Sequence, residues 1–115
     1  MSPVPFSVDS HPGSRDGLCI LSVKGAITTK SAEMFHEAFH AQSAPLVIID
    51  LTEVPSVDSM AVGALVRAFV ACHKSGRKLA LVGLNHRIKN VLNITGVEPL
   101  FDMYATVSEA EASLS

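Results

Sequence analysis

The sequence predicts a single α/β domain spanning residues 1–115. It should hold a mixed, mostly parallel sheet of four to five strands, with about four helices packed mainly on one side. Three observations carry that reading. Leu46-Val-Ile-Ile-Asp-Leu51 is a continuous apolar run rich in β-branched residues, which suits a central strand covered on both faces. From that run onward strand-like and helix-like segments alternate, the order expected of parallel strands joined by right-handed crossovers. The 115 residues, 48% apolar and 17% charged, can bury roughly two-thirds of their unfolded surface around one core.

Taken in order, residues 3–10 form an extended edge segment in which Val4, Phe6 and Val8 alternate with other residues. Residues 11–17 are dense in turn formers, and residues 18–24 read as a strand hairpinned to the first. Gly25 ends that strand. Residues 31–41 read as a helix, with Ala32, Phe35, Ala38 and Phe39 at helical spacing and Thr29 or Lys30 near its start. The central strand and a loop over residues 52–57 follow. Asp58 and Ser59 both suit a helix N-cap, because their short oxygens accept free backbone N–H groups. The helix they open runs to about residue 73, and Ser75-Gly76 ends it with a left-handed cap. Residues 78–83 form a strand, Asn85 caps a helix over residues 86–94, residues 100–104 form a last short strand, and residues 108–114 close the chain as a helix.

Composition excludes several classes. Nine Lys plus Arg stand against eleven Asp plus Glu, with no basic block, one Tyr and no Trp, so a nucleic-acid module is not expected. The longest apolar run, residues 60–66, is far short of a membrane span, and the first residues lack the basic and apolar stretches of a signal peptide. A soluble, cytoplasmic protein is expected. Cys19 and Cys72 lie far apart within apolar runs and read as reduced core thiols. His36 and His40 stand at i and i+4 on one helix face, as metal ligands can, but no carboxylate or cysteine elsewhere completes an obvious set. No metal and no cofactor are expected.

The helix after Ser59 is the most informative segment. Ala61, Val62, Leu65, Ala68, Phe69 and Cys72 share one side and form a core stripe. The opposite side carries Met60, Gly63, Ala64, Val70 and Ala71, with Arg67 and Lys74 its only charges. A small, apolar, thinly charged outer face points to a protein contact. Ser59 sits at the positive end of this helix, where a phosphate is tolerated by the fold and adds about two negative charges at the edge of that face.

The residues then resemble a known family. Leu46-Val-Ile-Ile-Asp-Leu-Thr-Glu-Val-Pro-Ser-Val-Asp-Ser-Met-Ala-Val-Gly-Ala-Leu65 is similar to the signature of STAS domains, in which an apolar strand ending in Asp-Leu leads through a short loop to Asp-Ser-Ser-Gly or Asp-Ser-Thr-Gly at a helix start. Lys74-Ser-Gly-Arg-Lys-Leu-Ala-Leu-Val-Gly83 and the stretch from Ile88 through Thr95-Gly96-Val97 to Leu100-Phe101 continue the likeness.

The resemblance implies a STAS-like fold and an anti-sigma factor antagonist. Such a protein binds an anti-sigma factor that is a histidine-kinase-like ATPase and serine kinase. Phosphorylation of the serine after the aspartate, here Ser59 after Asp58, ends the complex. A serine phosphatase is a candidate second partner. Carried over, the contact surface comprises Thr28, Thr29, Asp58, Ser59, Met60, Gly63, Ala64 and Arg67.

The chain departs from the pattern at Met60 and Ala61, and in Gly25-Ala-Ile-Thr-Thr-Lys-Ser31, where Thr28 replaces an aspartate and Ser31 a threonine. Two alternatives remain: a STAS scaffold or sensor that is never phosphorylated and binds proteins or a small apolar ligand, and a small serine hydrolase using Ser59. The apolar helix face would serve a homodimer as readily as a partner. An enzyme is not expected, since the flank of Ser59 lacks the glycines of a nucleophile elbow.

Overall fold

A computed structural model describes residues 5–114. Five strands form one sheet in the order β1 (Ser7–Pro12), β2 (Leu18–Lys24), β3 (Leu46–Glu53), β4 (Lys78–Val82) and β5 (Asp102–Tyr104). β1 pairs antiparallel with β2, and every later pair is parallel. Helices α1 (Thr29–His40), α2 (Ser59–Lys74) and α3 (His86–Ile94) are the three crossovers, and α4 (Val107–Ser113) closes the chain.

The period of two along each strand sorts side chains to two cores. Cys19, Leu21, Val23, Val47, Ile49, Leu51, Leu79 and Leu81 meet Phe35, Phe39, Leu65, Ile88 and Leu92 from α1, α2 and α3. Leu18, Ile20, Ile48, Ala80 and Val82 meet Ala110 and Leu114 of α4. Both faces of β3 are therefore covered, which is why its apolar run is continuous. Three helices lie on one side of the sheet and one on the other. Cys19 and Cys72 are buried and unbridged, as expected.

Several boundaries differ from the sequence reading, and the central strand runs on to Glu53, two residues into the expected loop. The first strand covers residues 7–12, so His11 and Pro12 belong to it and not to the turn. Pro12 is tolerated because β1 is an edge strand, where a missing N–H costs no ladder bond. Val4, placed in that strand by its alternation, lies outside the described residues. Helix α1 starts two residues earlier than expected, after Thr28. Residues 98–100 form a 3-10 turn with Pro99 in it, which delays β5 to Asp102. Gly76 has φ +70° and supplies the left-handed residue after α2.

Candidate functional site

The loops that leave β2 and β3 run side by side. Ile27 and Val57 form a parallel bridge, the Ile27 N–H donates to the Ser56 carbonyl at 3.1 Å, and the Asp58 N–H donates to the Ile27 carbonyl at 3.2 Å. Ile27 is fully buried and Val57 nearly so, which anchors both loops in the core. The starts of α1 and α2 thereby come together at one end of the sheet.

Asp58 links them. One carboxylate oxygen accepts the Ala61 N–H at 3.0 Å and caps α2. The other accepts the Thr29 N–H at 3.0 Å, with the Thr29 hydroxyl at 3.5 Å. A single side chain so satisfies orphan donors in the first turns of two helices. Of the two sequence candidates for the cap of α2, Asp58 is the cap and Ser59 is the first helical residue, with its side chain exposed.

Thr28 caps α1 by a reciprocal arrangement. The Lys30 N–H donates to the Thr28 hydroxyl at 3.3 Å, and the Thr28 N–H donates to the Ser31 hydroxyl at 2.8 Å. Ser31 is buried and donates to the Ala26 carbonyl at 3.0 Å. Threonine here does what an aspartate would do, and Ser31 completes the capping box in place of Glu or Gln. The two departures in this loop are absorbed by the same local hydrogen bonding.

Thr28, Thr29, Ser59, Met60 and Arg67 are exposed, and Asp58 and Gly63 are half-buried. Those seven candidates share one end of the molecule and the outer side of α2. Ala64 does not join them: it is 3% exposed and belongs to the main core. The packing of α1 alongside α2 widens the buried arc of α2 beyond its stripe, and Ala64 falls inside it. In the other direction Phe69, assigned to the stripe, is half-buried, with its ring edge-on to Phe101 at 5.8 Å.

Sequence reasoning did not single out Met34, a large apolar side chain that is 52% exposed on α1, as Met60 is 50% exposed on α2. The signal was present: Met34 stands off the stripe formed by Ala32, Phe35, Ala38 and Phe39. Among the described residues no group of three His, Cys, Asp or Glu side chains is assembled to hold a metal ion, and no helix is long and apolar enough to cross a membrane.

Fold and site define a class: a five-stranded α/β domain in sequential strand order whose Asp-Ser pair opens the helix after the central strand. The chain belongs to the STAS domain family, whose model matches residues 13–110. It is similar to the anti-sigma-B factor antagonist of Listeria monocytogenes, at 30% identity over 78 residues that make up 68% of each chain. Its fold is shared with an anti-sigma factor antagonist from Mycobacterium paratuberculosis, with a TM-score of 0.81 at 23% identity over 97% of both chains. Bacillus SpoIIAA, an anti-sigma factor antagonist in its unphosphorylated form, aligns with a TM-score of 0.74 at 15% identity over 96% of both chains.

Proposed function

We propose that this protein is an anti-sigma factor antagonist that acts in the cytoplasm. It binds an anti-sigma factor, a histidine-kinase-like ATPase and serine kinase, and phosphorylation at Ser59 ends that complex. The observation that carries the reading is the division of labour between Asp58 and Ser59. Asp58 holds both helix starts, so Ser59 contributes no cap and is free to accept a phosphoryl group. Mg-ATP belongs to the kinase, and a serine phosphatase reverses the modification. The contact surface comprises Thr28, Thr29, Asp58, Ser59, Met60, Gly63 and Arg67.

The addition of about two negative charges beside an exposed methionine and the Asp58 carboxylate opposes docking of an apolar partner face without unfolding this domain. The test is a pull-down from lysate of the source organism with Ser59→Ala and Ser59→Asp proteins side by side. Retention of a histidine-kinase-like ATPase by the Ala form and its loss from the Asp form supports the switch. Equal retention by both forms overturns it.

A second reading has its own observation. Phe69, Cys72, Leu79, Leu100 and Leu114, with His73, Arg77, Lys78 and Asp102 among the polar residues, line a cleft of about 270 Å³ at the far end of α2 from Ser59. A non-phosphorylated sensor module would bind a small apolar ligand there. Such a ligand would raise the melting temperature equally in Ser59→Ala and Ser59→Asp proteins.

A further inference from the structure

The sheet leaves a notch where its last strand is short. β5 has three residues, because the 3-10 turn over Glu98–Leu100 delays its start to Asp102. Its ladder with β4 begins where Ala80 meets Asp102, so Lys78 and Leu79 run past the start of β5. The end of α2, the 3-10 turn and the end of α4 surround that gap and leave the cleft of about 270 Å³. Phe69, Leu79, Leu100 and Leu114 give it an apolar floor. Its charged lining is Arg77, Lys78 and His73 against a single acid, Asp102. That balance reverses the one in the whole chain, where eleven Asp and Glu outnumber nine Lys and Arg.

We propose that this cleft binds a small amphipathic anion, a carboxylate or phosphate monoester carried on an apolar body. The bases select the head group. Among the described residues neither Arg77 nor Lys78 pairs with a carboxylate. Arg77 is fixed in place: its guanidinium lies over the Phe39 ring at 5.4 Å, with Nε donating to the Ala44 carbonyl at 2.8 Å and Nη2 to Gln42 Oε1 at 3.4 Å. Those acceptors are neutral, so the guanidinium is held rigid while its charge stays uncompensated. A preorganised guanidinium of that kind suits carboxylate or phosphate oxygens, and Lys78 adds a second permanent cation beside it. The floor selects the body. Leu100 is 41% exposed and Phe69 half-buried, so an aliphatic or aromatic group seated there removes apolar surface from water.

Two features oppose an anion, the carbonyls that end α2 and the Asp102 carboxylate. The carbonyls are largely satisfied within the chain. The Ser75 hydroxyl donates to the Ala71 carbonyl at 2.7 Å, and the Arg77 N–H donates to the Cys72 carbonyl at 2.8 Å. Asp102 is exposed, so solvent screens its charge. The proposal rests on the cleft of the second reading and adds a charged head group to its ligand. It does not depend on whether Ser59 is phosphorylated.

The test is a titration of the full-length protein, followed by its backbone amide NMR signals, with octanoate, octyl phosphate, octanol and octylamine in turn. The expected result is saturable shifts centred on His73, Lys78 and Leu100, with the preferred anion bound roughly tenfold tighter than octanol and octylamine bound weakest. Comparison of octanoate with octyl phosphate names the head group. Lys78→Gln should weaken the anion severalfold and leave octanol unchanged, which also shows that the variant is folded. Asp102→Asn should tighten the anion, and Leu100→Ser should weaken anion and octanol together. Lys89→Gln, whose side chain does not line the cleft, should change nothing. Octanol bound at the cleft as tightly as either anion overturns the proposal and leaves the apolar-ligand reading standing. The absence of saturable shifts at the cleft with all four compounds overturns both.

Discussion

The Asp58 carboxylate accepts the backbone N–H of Thr29 at 3.0 Å across 29 residues of chain, while its second oxygen caps its own helix through Ala61. The residue beside the proposed phosphorylation site is therefore the clasp that sets α1 against α2. Loss of the carboxylate in Asp58→Ala orphans a donor in each helix and is expected to cost about 1–3 kcal/mol. Asp58→Asn keeps one acceptor and is expected to cost less. Urea unfolding of both variants measures the difference, and an Ala variant as stable as the parent would refute the clasp.

Ser59 lies outside that clasp. Ser59→Asp places a negative charge in the first turn of α2, where the helix dipole is favourable by a few tenths of a kcal/mol and the Asp58 carboxylate opposes it. The two effects nearly cancel. The variant is expected to keep native circular dichroism and to unfold within about 1 kcal/mol of the parent. An unfolded Ser59→Asp protein would mean that charge at this position acts on the domain itself and not on a partner.

How far the sequence reveals this arrangement depends on where each signal lives. The apolar run of β3 and the cap residues Asp58 and Asn85 act locally, and the elements they predict are present. β1 is an edge strand whose residues are all half-buried or exposed, so its pattern is weak and its limits were misplaced. Ala64 was assigned outward because helical period describes one helix at a time, and its burial comes from α1 alongside. The bond from Asp58 to Thr29 joins segments that only the bridge between Ile27 and Val57 brings together. No spacing rule reaches it.

The two thiols should be slow to react. Cys19 and Cys72 are buried, and burial pushes the Cys72 thiol pKa up, partly offset by Arg77. The thiolate is the nucleophile, so burial hinders access to both thiols and ionisation works further against alkylation of Cys72. Native protein is expected to react with a thiol reagent at neutral pH only through opening, at a rate that rises sharply in urea. Rapid labelling of two thiols in buffer would show that the core around Cys72 opens readily.

Two glycines should respond oppositely to the same substitution. Gly83 has φ +73°, and an added Cβ would lie 2.9 Å from the Thr52 Cα and 3.0 Å from its Cβ, against the Thr52 hydroxyl oxygen. Gly83→Ala combines a strained backbone with a clash against β3 and is expected to destabilise by about 2 kcal/mol or more. Gly63 lies within α2, and an added Cβ there meets nothing within 4 Å. Gly63→Ala removes unfolded-state freedom and is expected to stabilise by about 0.5–1 kcal/mol. Because Gly63 belongs to the proposed contact surface, the same methyl group also probes the partner. A more stable Gly63→Ala protein that loses the partner would place this turn of α2 within the interface. Equal stability of the parent and Gly63→Ala would show that the helix gains nothing from alanine at that position.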